Sequence, residues 1–411
     1  MIYTIMKNTI CAIPWTHLNI IPRGKVYPCC MTTDFTGYAG DLTKQTIEEV
    51  WNSDYMKDVR VKMINGEEPS MCSRCFESER SSGHSTRINH NRYFNTKLQE
   101  IPIITKSDGH VDKVDLRYWD FRFSNLCNYK CRTCGPEYSS SWIPDAKALG
   151  WMDEKRNDKV IGIESVDEST NVNFLKKYVD IVEKVYFAGG EPLLMDEHWQ
   201  ILDMLDQSER YDVILTYNTN LSKLTYKNKN VLDYWKKWGR RIWLWPSIDE
   251  IDDRAELIRS GTNWKNVEDN LRAVVALDIH VKPSMTVSAM NVHRIPEVIN
   301  RLVDIGVIRE SDEYWQNFSF NVLEFGAHYH VSILPDATRL KIRDKLETFI
   351  SDYNTRFKVN IRDKFLHLFW HLEKPHNPKH AERFKIEMLK LDAIRNENTL
   401  KTLPELTEIF K

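Results

Sequence analysis

The residues of this chain with the clearest capacity for chemistry are its cysteines. There are 8, all between Cys11 and Cys134. Grouped thiols in a reducing compartment bind metal or react more often than they form disulfides. Three stand together as Cys127-Asn-Tyr-Lys-Cys131-Arg-Thr-Cys134, a C-x3-C-x2-C spacing. Three thiolates this close can wrap one small inorganic cluster, and iron–sulfur clusters are the common partner of such soft ligands. The missing fourth cysteine leaves one metal position open, as in catalytic rather than closed structural sites. The remaining cysteines are Cys11, the adjacent Cys29 and Cys30, and the pair Cys72-Ser-Arg-Cys75. Residues 11–30 read as two strands around a turn at Pro22–Gly24, which brings Cys29 and Cys30 back towards Cys11. The C-x2-C pair opens a helix. Two ligands from the hairpin and two from the pair complete a tetrahedral set, suited to a second cluster or to a structural zinc ion.

A second feature is Val185-Tyr-Phe-Ala-Gly189-Gly190-Glu191-Pro192-Leu193. A short apolar strand ends in two glycines, an acid and a proline. The glycines let the backbone approach a ligand closely. Glu191 sits at a strand's C-terminal end, where α/β barrels place ligand sites. Alone, Gly-Gly also marks an ordinary tight turn.

The elements that must position these residues alternate in type. Strand-like runs cover Lys113–Ser124, Lys184–Ala188, Asp212–Asn218, Arg241–Asp249, His280–Ala289 and Asn317–Phe325. Helical patterns fall between them, such as Asn171–Glu183 with Phe174, Tyr178 and Val182 on one face. Such alternation predicts βα units and a parallel sheet. Six units are too few for an eight-stranded barrel and suit a partial one. The predicted architecture is α/β. A small cysteine-rich module with its linker spans 1–100, a partial (β/α)6 barrel of the TIM type spans 111–330, and a helical region spans 331–411. Within the module, Thr46–Ile64 predicts one or two helices that stop at Asn65-Gly66. Residues 81–110 are polar and mixed, and read as a connection with room for a short helix.

Together, the cysteine triplet and the glycine-rich turn resemble the radical S-adenosylmethionine superfamily, over residues 115–330. Members carry CxxxCxxC after the first barrel strand and GGEP after the second. The resemblance implies a four-iron four-sulfur cluster on Cys127, Cys131 and Cys134, whose open iron binds the amino and carboxylate groups of S-adenosylmethionine. One electron then cleaves the sulfonium to a 5′-deoxyadenosyl radical, which takes a hydrogen atom from the substrate. Gly189, Gly190 and Glu191 match the motif that holds the methionine amino group. Tyr217-Asn218-Thr219-Asn220 resembles the family's Thr-Asn-Gly-like segment, with Asn218 as the contact. Ser247 and Asp249 match the Ser-x-Asp near the ribose, Arg259 the arginine that meets the cofactor carboxylate, and Asn291 a position after the fifth strand. Strand alternation puts Trp243 and Trp245 on the face of Ser247 and Asp249, either walling the cofactor pocket or filling the barrel core.

The pattern C-x12-G-x4-C followed by C-x2-C resembles the SPASM module in its shortened twitch form, over residues 11–80; here it precedes the barrel. This resemblance implies an auxiliary four-iron four-sulfur cluster on Cys11, Cys29, Cys72 and Cys75. The G-x4-C spacing selects Cys29 over Cys30. His17, within an alternating strand, reads as solvent-facing or hydrogen-bonded rather than as a ligand. With four protein ligands the auxiliary cluster has no free iron and is expected to relay electrons. Net oxidation of a substrate follows: a peptide or protein as the first reading, an alcohol or aminocyclitol-like small molecule as the second. A non-catalytic zinc-binding interaction protein is the reading of another class. The expected partners are the substrate and a one-electron donor such as flavodoxin or ferredoxin.

Composition limits the rest. Lys and Arg total 57 against 59 for Asp and Glu, so 57 − 59 gives −2. A general polyanion binder would carry a basic excess, which argues against nucleic acid. The first fifteen residues lack a basic n-region and a small-residue cleavage site, and no apolar run reaches about 18 residues. The expectation is a cytoplasmic oxidoreductase with no membrane segment.

Overall fold

The computed structural model describes residues 8–32, 37–153, 155, 160, 162–163, 172–309, 318–324 and 326–411. In chain order the strands are β1 (His17–Ile20), β2 (Lys25–Tyr27), β3 (Gly40–Asp41), β4 (Tyr118–Phe121), β5 (Lys184–Phe187), β6 (Ile214–Thr219), β7 (Thr225–Tyr226), β8 (Lys229–Asn230), β9 (Ile242–Pro246), β10 (His280–Val281), β11 (Ser284–Val287) and β12 (Ser319–Val322). The main sheet has eight strands in the order β10-β9-β6-β5-β4-β1-β2-β3. Strands β1, β4 and β5 are parallel, as are β9 and β10. A parallel bridge from Ser247 to Ser284 carries the pattern from β9 to β11, which pairs in parallel with β12. All six predicted strand segments therefore coincide with a strand, each shorter than its hydrophobic run, β6 running one residue past Asn218. The fifth is broken into β10 and β11 at Lys282-Pro283, where proline has no N–H to give the ladder. The predicted strand at Asn317–Phe325 has both ends outside the described residues, as has the first residue of the predicted helix Asn171–Glu183. In its described part only Val172–Tyr178 is helical, as a 3-10 helix burying Val172, Leu175 and Tyr178; Phe174 is half-buried and Val182 lies past the helix, so the predicted apolar face does not form.

Contacts divide the chain into two compact units. The first comprises residues 1–125, 160–189 and 195–216; the second comprises 126–159, 190–194 and 217–411. The first unit joins the cysteine-rich segment to the start of the predicted barrel. Here β1 and β2 form the expected hairpin, Asn19 opposite Tyr27, around Pro22–Gly24, with Arg23 and Gly24 both at positive φ. The sequence did not announce that β1 also pairs in parallel with β4, His17 opposite Tyr118. Two helices fill Thr46–Ile64. Ile47–Trp51 starts on a capping box of Thr46 and Glu49, and Asp54–Asn65 starts on the Ser53 hydroxyl and stops at left-handed Gly66. Both devices satisfy helix-end groups that otherwise lack partners. Residues 81–110 hold three short helices, and two of their apolar side chains, Phe94 and Ile101, enter a buried cluster with Ile13, Trp15, Val59, Met63 and Tyr118.

The second unit carries the remaining strands and the C-terminal helices Asp336–Phe357, Arg362–Leu372 and Pro378–Arg395. Its helix Ile295–Ile305 buries Ile295, Val298, Ile299, Leu302 and Ile305, one stripe of a 3.6-residue period. Among the described residues, no helix is long and apolar enough to cross a membrane.

Candidate functional site

In the second unit, residues 126–135 leave the sheet as a loop without regular structure, so its shape must come from outside. Lys130 N–H donates to Ser260 O and Arg132 N–H to Ile258 O, both at 2.8 Å. Gly261, at φ +105°, lets the loop pass: a Cβ there would lie 2.9 Å from Asn128 O. The Trp142 indole donates to Cys131 O at 2.8 Å and the Ser141 hydroxyl to Cys127 O at 2.7 Å. Arg132 is fully buried, and its guanidinium donates to Asp392 at 2.6 Å, Glu397 at 2.5 Å and Thr399 at 3.0 Å. The C-terminal helical region thus holds the cysteine loop in place.

Cys127, Cys131 and Cys134 are free thiols, each half-buried. Burial pushes the Cys127 and Cys134 thiols up to about 12, with the Glu191 charge adding at Cys127 and Cys131 at Cys134; Cys131 is raised by burial too. Left alone they stay protonated, and a metal would have to displace those protons. Cys127 Sγ accepts the Tyr129 N–H at 3.4 Å, and the Asn220 side-chain amide approaches it at 4.0 Å.

Glu191 is buried, and three donors hold its carboxylate. Oε1 accepts from the Thr219 hydroxyl at 2.6 Å and Leu193 N at 3.2 Å; Oε2 accepts from Asn220 N at 2.7 Å. Burial raises its pKa, and those three donors oppose the rise. Its own N–H donates to Leu126 O at 2.7 Å, which fixes the carboxylate beside the cysteine loop. Gly190 is half-buried. In the first unit, Gly189 sits at φ +115°, and a Cβ there would meet Ser124 O at 3.4 Å and Arg122 Cβ at 3.5 Å.

Asp249, Arg259 and Asn291 form one cluster. Arg259 donates to Asp249 Oδ2 at 2.8 Å, and Thr286 N to Asp249 Oδ1 at 2.7 Å. The Asn291 amide donates to Asp249 O and Thr286 O, both at 2.9 Å. Burial works against the Arg259 charge, but the Asp249 carboxylate paired with it offsets that cost. Asn291 is thus occupied in tying strand ends together. Ser247 is half-buried and gives its N–H to Thr219 O at 2.9 Å. Asn218 Oδ1 and Arg259 Nε are among the buried polar atoms that lack a partner among the described residues. Buried polar atoms are nearly always paired, so these two suit a polar ligand. Trp243 is 40% exposed, its ring T-shaped to His280 at 5.6 Å, so it does not fill a core. Thr219 and Asn220, which hold Glu191, lie in the Tyr217–Asn220 segment, but their residue types alone do not mark them.

In the first unit, Cys11, Cys29, Cys72 and Cys75 converge. Cys11 and Cys29 are pushed up to about 12 by burial first; Cys75 then raises Cys11, and Cys11 and Cys75 raise Cys29. Cys72 is raised by burial and by Cys29, Cys11 and Cys75. Arg87, ion-paired with Glu79, sends Nη1 to Ile10 O at 2.8 Å and places a cation near Cys11 and Cys75. Among the described residues, no three cysteine sulfurs lie within 4.8 Å of one another. His17 is buried, its Nδ1 3.0 Å from Tyr118 O and its ring stacked on Tyr118 at 4.4 Å. It is hydrogen-bonded, not solvent-facing.

Residues 121–302 match the model of the radical SAM superfamily, and residues 11–76 match SPASM, an iron–sulfur cluster-binding domain. The chain thus carries a radical SAM domain preceded by a SPASM domain. These imply a four-iron four-sulfur cluster with S-adenosylmethionine, and auxiliary iron–sulfur binding. The chain is 26% identical over 212 residues to a GTP 3′,8-cyclase of Sulfurimonas denitrificans, covering 50% of this chain and 59% of the relative. It is 32% identical over 125 residues to a GTP 3′,8-cyclase of Aliarcobacter butzleri, covering 30% and 33%. The chain therefore spans less than two thirds of these relatives' length. A crystal structure of Streptococcus suis SuiB bound to S-adenosylmethionine aligns at 10% identity and a TM-score of 0.33, over 75% of this chain and 63% of that one.

Proposed function

We propose that this radical SAM protein cleaves S-adenosylmethionine reductively at Cys127, Cys131 and Cys134, and oxidises a substrate with help from an auxiliary cluster on Cys11, Cys29, Cys72 and Cys75. When bound, the cofactor pair supplies a 5′-deoxyadenosyl radical that takes a hydrogen atom from the substrate. The chain's own residues do the rest. Arg132 and the Ser260 and Ile258 carbonyls hold the cysteine loop in one shape. Glu191, oriented by Thr219 and Asn220, keeps one lone-pair direction of Oε2 for an ammonium group. Arg259, charged and half-buried, offers its buried, unpartnered Nε to a carboxylate.

The observation that carries this reading is the contrast between the two cysteine sets: three thiols beside a buried carboxylate, and four thiols that converge on one another. Four ligands leave no iron open, so the second set suits electron transfer. Loss of a hydrogen atom and then an electron is net oxidation, which suits dehydrogenation or cross-linking of a peptide or protein. The relatives named GTP 3′,8-cyclase favour a second reading, a small-molecule substrate. Anaerobic reconstitution followed by reduction tests the class. The expected result is about eight irons per chain and 5′-deoxyadenosine that disappears in Cys127→Ala. A chain that saturates with zinc and never forms 5′-deoxyadenosine would overturn it. Peptide and nucleotide libraries scored for product by mass spectrometry separate the two substrate classes.

A further inference from the structure

The cysteine sites leave a histidine-rich segment unused. Of 13 histidines, six follow residue 327, and four of those run as His367-x3-His371-x4-His376-x3-His380. His367 and His371 lie one turn apart on the helix Arg362–Leu372, so they share a face. Glu324 lies two residues beyond β12, which packs against that helix.

The three side chains converge on one point. His367 Nε2 and His371 Nε2 are 3.2 Å apart, Glu324 Oε1 is 3.6 Å from His371 Nε2, and all three atoms lie within 4.8 Å of one another. A tetrahedral ion with bonds of about 2.0–2.1 Å sets its ligand atoms roughly 3.3–3.5 Å apart. The 3.2 and 3.6 Å edges bracket that value. A simple hydrogen bond between the imidazoles would explain the first edge but not the third donor. Glu324 has no lysine or arginine partner among the described residues.

We propose that Glu324, His367 and His371 form a site for a borderline divalent metal ion, zinc in class. Two imidazoles and a carboxylate are a zinc donor set, and the fourth position is left to water or another ligand. The site ties the end of β12 to the helix Arg362–Leu372. Its outer support is present: His371 is fully buried, with Nδ1 2.7 Å from His330 Nε2, and His330 Nδ1 is 2.8 Å from Ser332 Oγ. Hydrogen bonds of this kind orient ligating histidines. With metal on His371 Nε2, the His371 proton sits on Nδ1 and is donated to His330 Nε2. His330 then gives its own proton to Ser332 Oγ, at the cost of the bond from Ser332 N. Glu324 and His367 are exposed, so an ion enters from solvent.

The test uses the full chain with its cysteines loaded with iron, washed with chelator and titrated with Zn²⁺ by calorimetry. One equivalent should bind at roughly micromolar Kd or tighter. His367→Ala should weaken binding about 100-fold and Glu324→Gln about 10-fold. Both side chains are exposed, so these variants keep the fold. His376→Ala and His380→Ala should bind as the parent does, with iron content unchanged throughout. Co²⁺ in place of Zn²⁺ should give d–d absorption without a thiolate charge-transfer band. Absence of binding below roughly 100 μM, equal loss in His376→Ala, binding unchanged by His367→Ala, or a thiolate band would each overturn the site.

Discussion

Cys29 and Cys30 are consecutive, yet they face different charges. The Cys29 thiol is pushed up to about 12 by burial, then by Cys11 and Cys75, and it accepts the Met31 N–H at 3.4 Å. Cys30 opens to solvent, and its charged neighbours are Asp120 and Arg122, themselves paired at 2.6 Å. The two thiols do not part by strand alternation, because β2 ends at Tyr27 and the chain bends at Pro28 into a turn, closed by Thr32 N–H on Cys29 O at 3.2 Å, that carries Cys30 away from Cys29.

Cys30→Ala is therefore expected to keep both clusters and most activity. Cys29→Ala should lose the auxiliary cluster, or keep a distorted one if the chain slips to offer Cys30. Iron counts and Mössbauer spectra on the two variants decide the matter; equal loss in both would reverse the assignment.

Arg132 connects the cysteine loop to residues 388–399 at the far end of the chain. Its replacement by Met would leave Asp392 and Glu397 facing each other without their buried cation. Breaking such a pair from one side costs about 3–5 kcal/mol. Arg132→Met should lower the thermal midpoint of the apoprotein and reduce iron at the three-cysteine site, with iron at the other set retained. Adding Asp392→Asn should recover part of the stability. A variant as stable as the parent would mean that the loop holds its shape unaided.

The cysteine triplet, the glycine-rich turn and the order of strands were legible because each depends on residue type at short spacing. Arg132 was not, because its partners lie about 260 positions away and nothing local marks it. Thr219 and Asn220 were quoted but not singled out, since Glu191 reaches them only once β6 lies beside the turn that carries it. Strand alternation put Trp243 on the face of Ser247 and Asp249 but could not tell whether that face is covered at its N-terminal end. The parallel pairing of β1 with β4 was equally hidden. A hairpin signal fixes the partner across the turn and says nothing about the other edge.

His17 gives a pH prediction. Burial lowers its pKa to about 4, partly offset by Asp120 and the Tyr118 carbonyl. Between about 4 and the unfolded value near 6.5, the unfolded chain binds a proton that the folded chain refuses, so stability falls as pH falls through that window. The slope from one such group is about 1.4 kcal/mol per pH unit. Apoprotein denaturation curves at pH 7 and pH 5 should therefore separate. His17→Asn should flatten the difference by about that slope, whatever it does to stability at pH 7. An unchanged slope would mean that His17 is charged in the fold.

The two cysteine sets should fail in different ways. Cys127→Ala removes a ligand of the three-cysteine loop, where Glu191 and Asn220 are gathered, so reductive cleavage of S-adenosylmethionine should stop altogether. Cys72→Ala with Cys75→Ala leaves that loop, its anchor Arg132 and the Glu191 contacts untouched. Cleavage should then continue, uncoupled from product. A hydrogen atom can still be taken from the substrate, but the electron that completes its oxidation has no acceptor. The readout is the ratio of 5′-deoxyadenosine to product by mass spectrometry: near one in the parent, and rising at least about tenfold in the double variant, a loss of about 1.4 kcal/mol or more in the product-forming step. Normal product formation without Cys72 and Cys75 would show that the second set is structural, and that the oxidising electron leaves by another route.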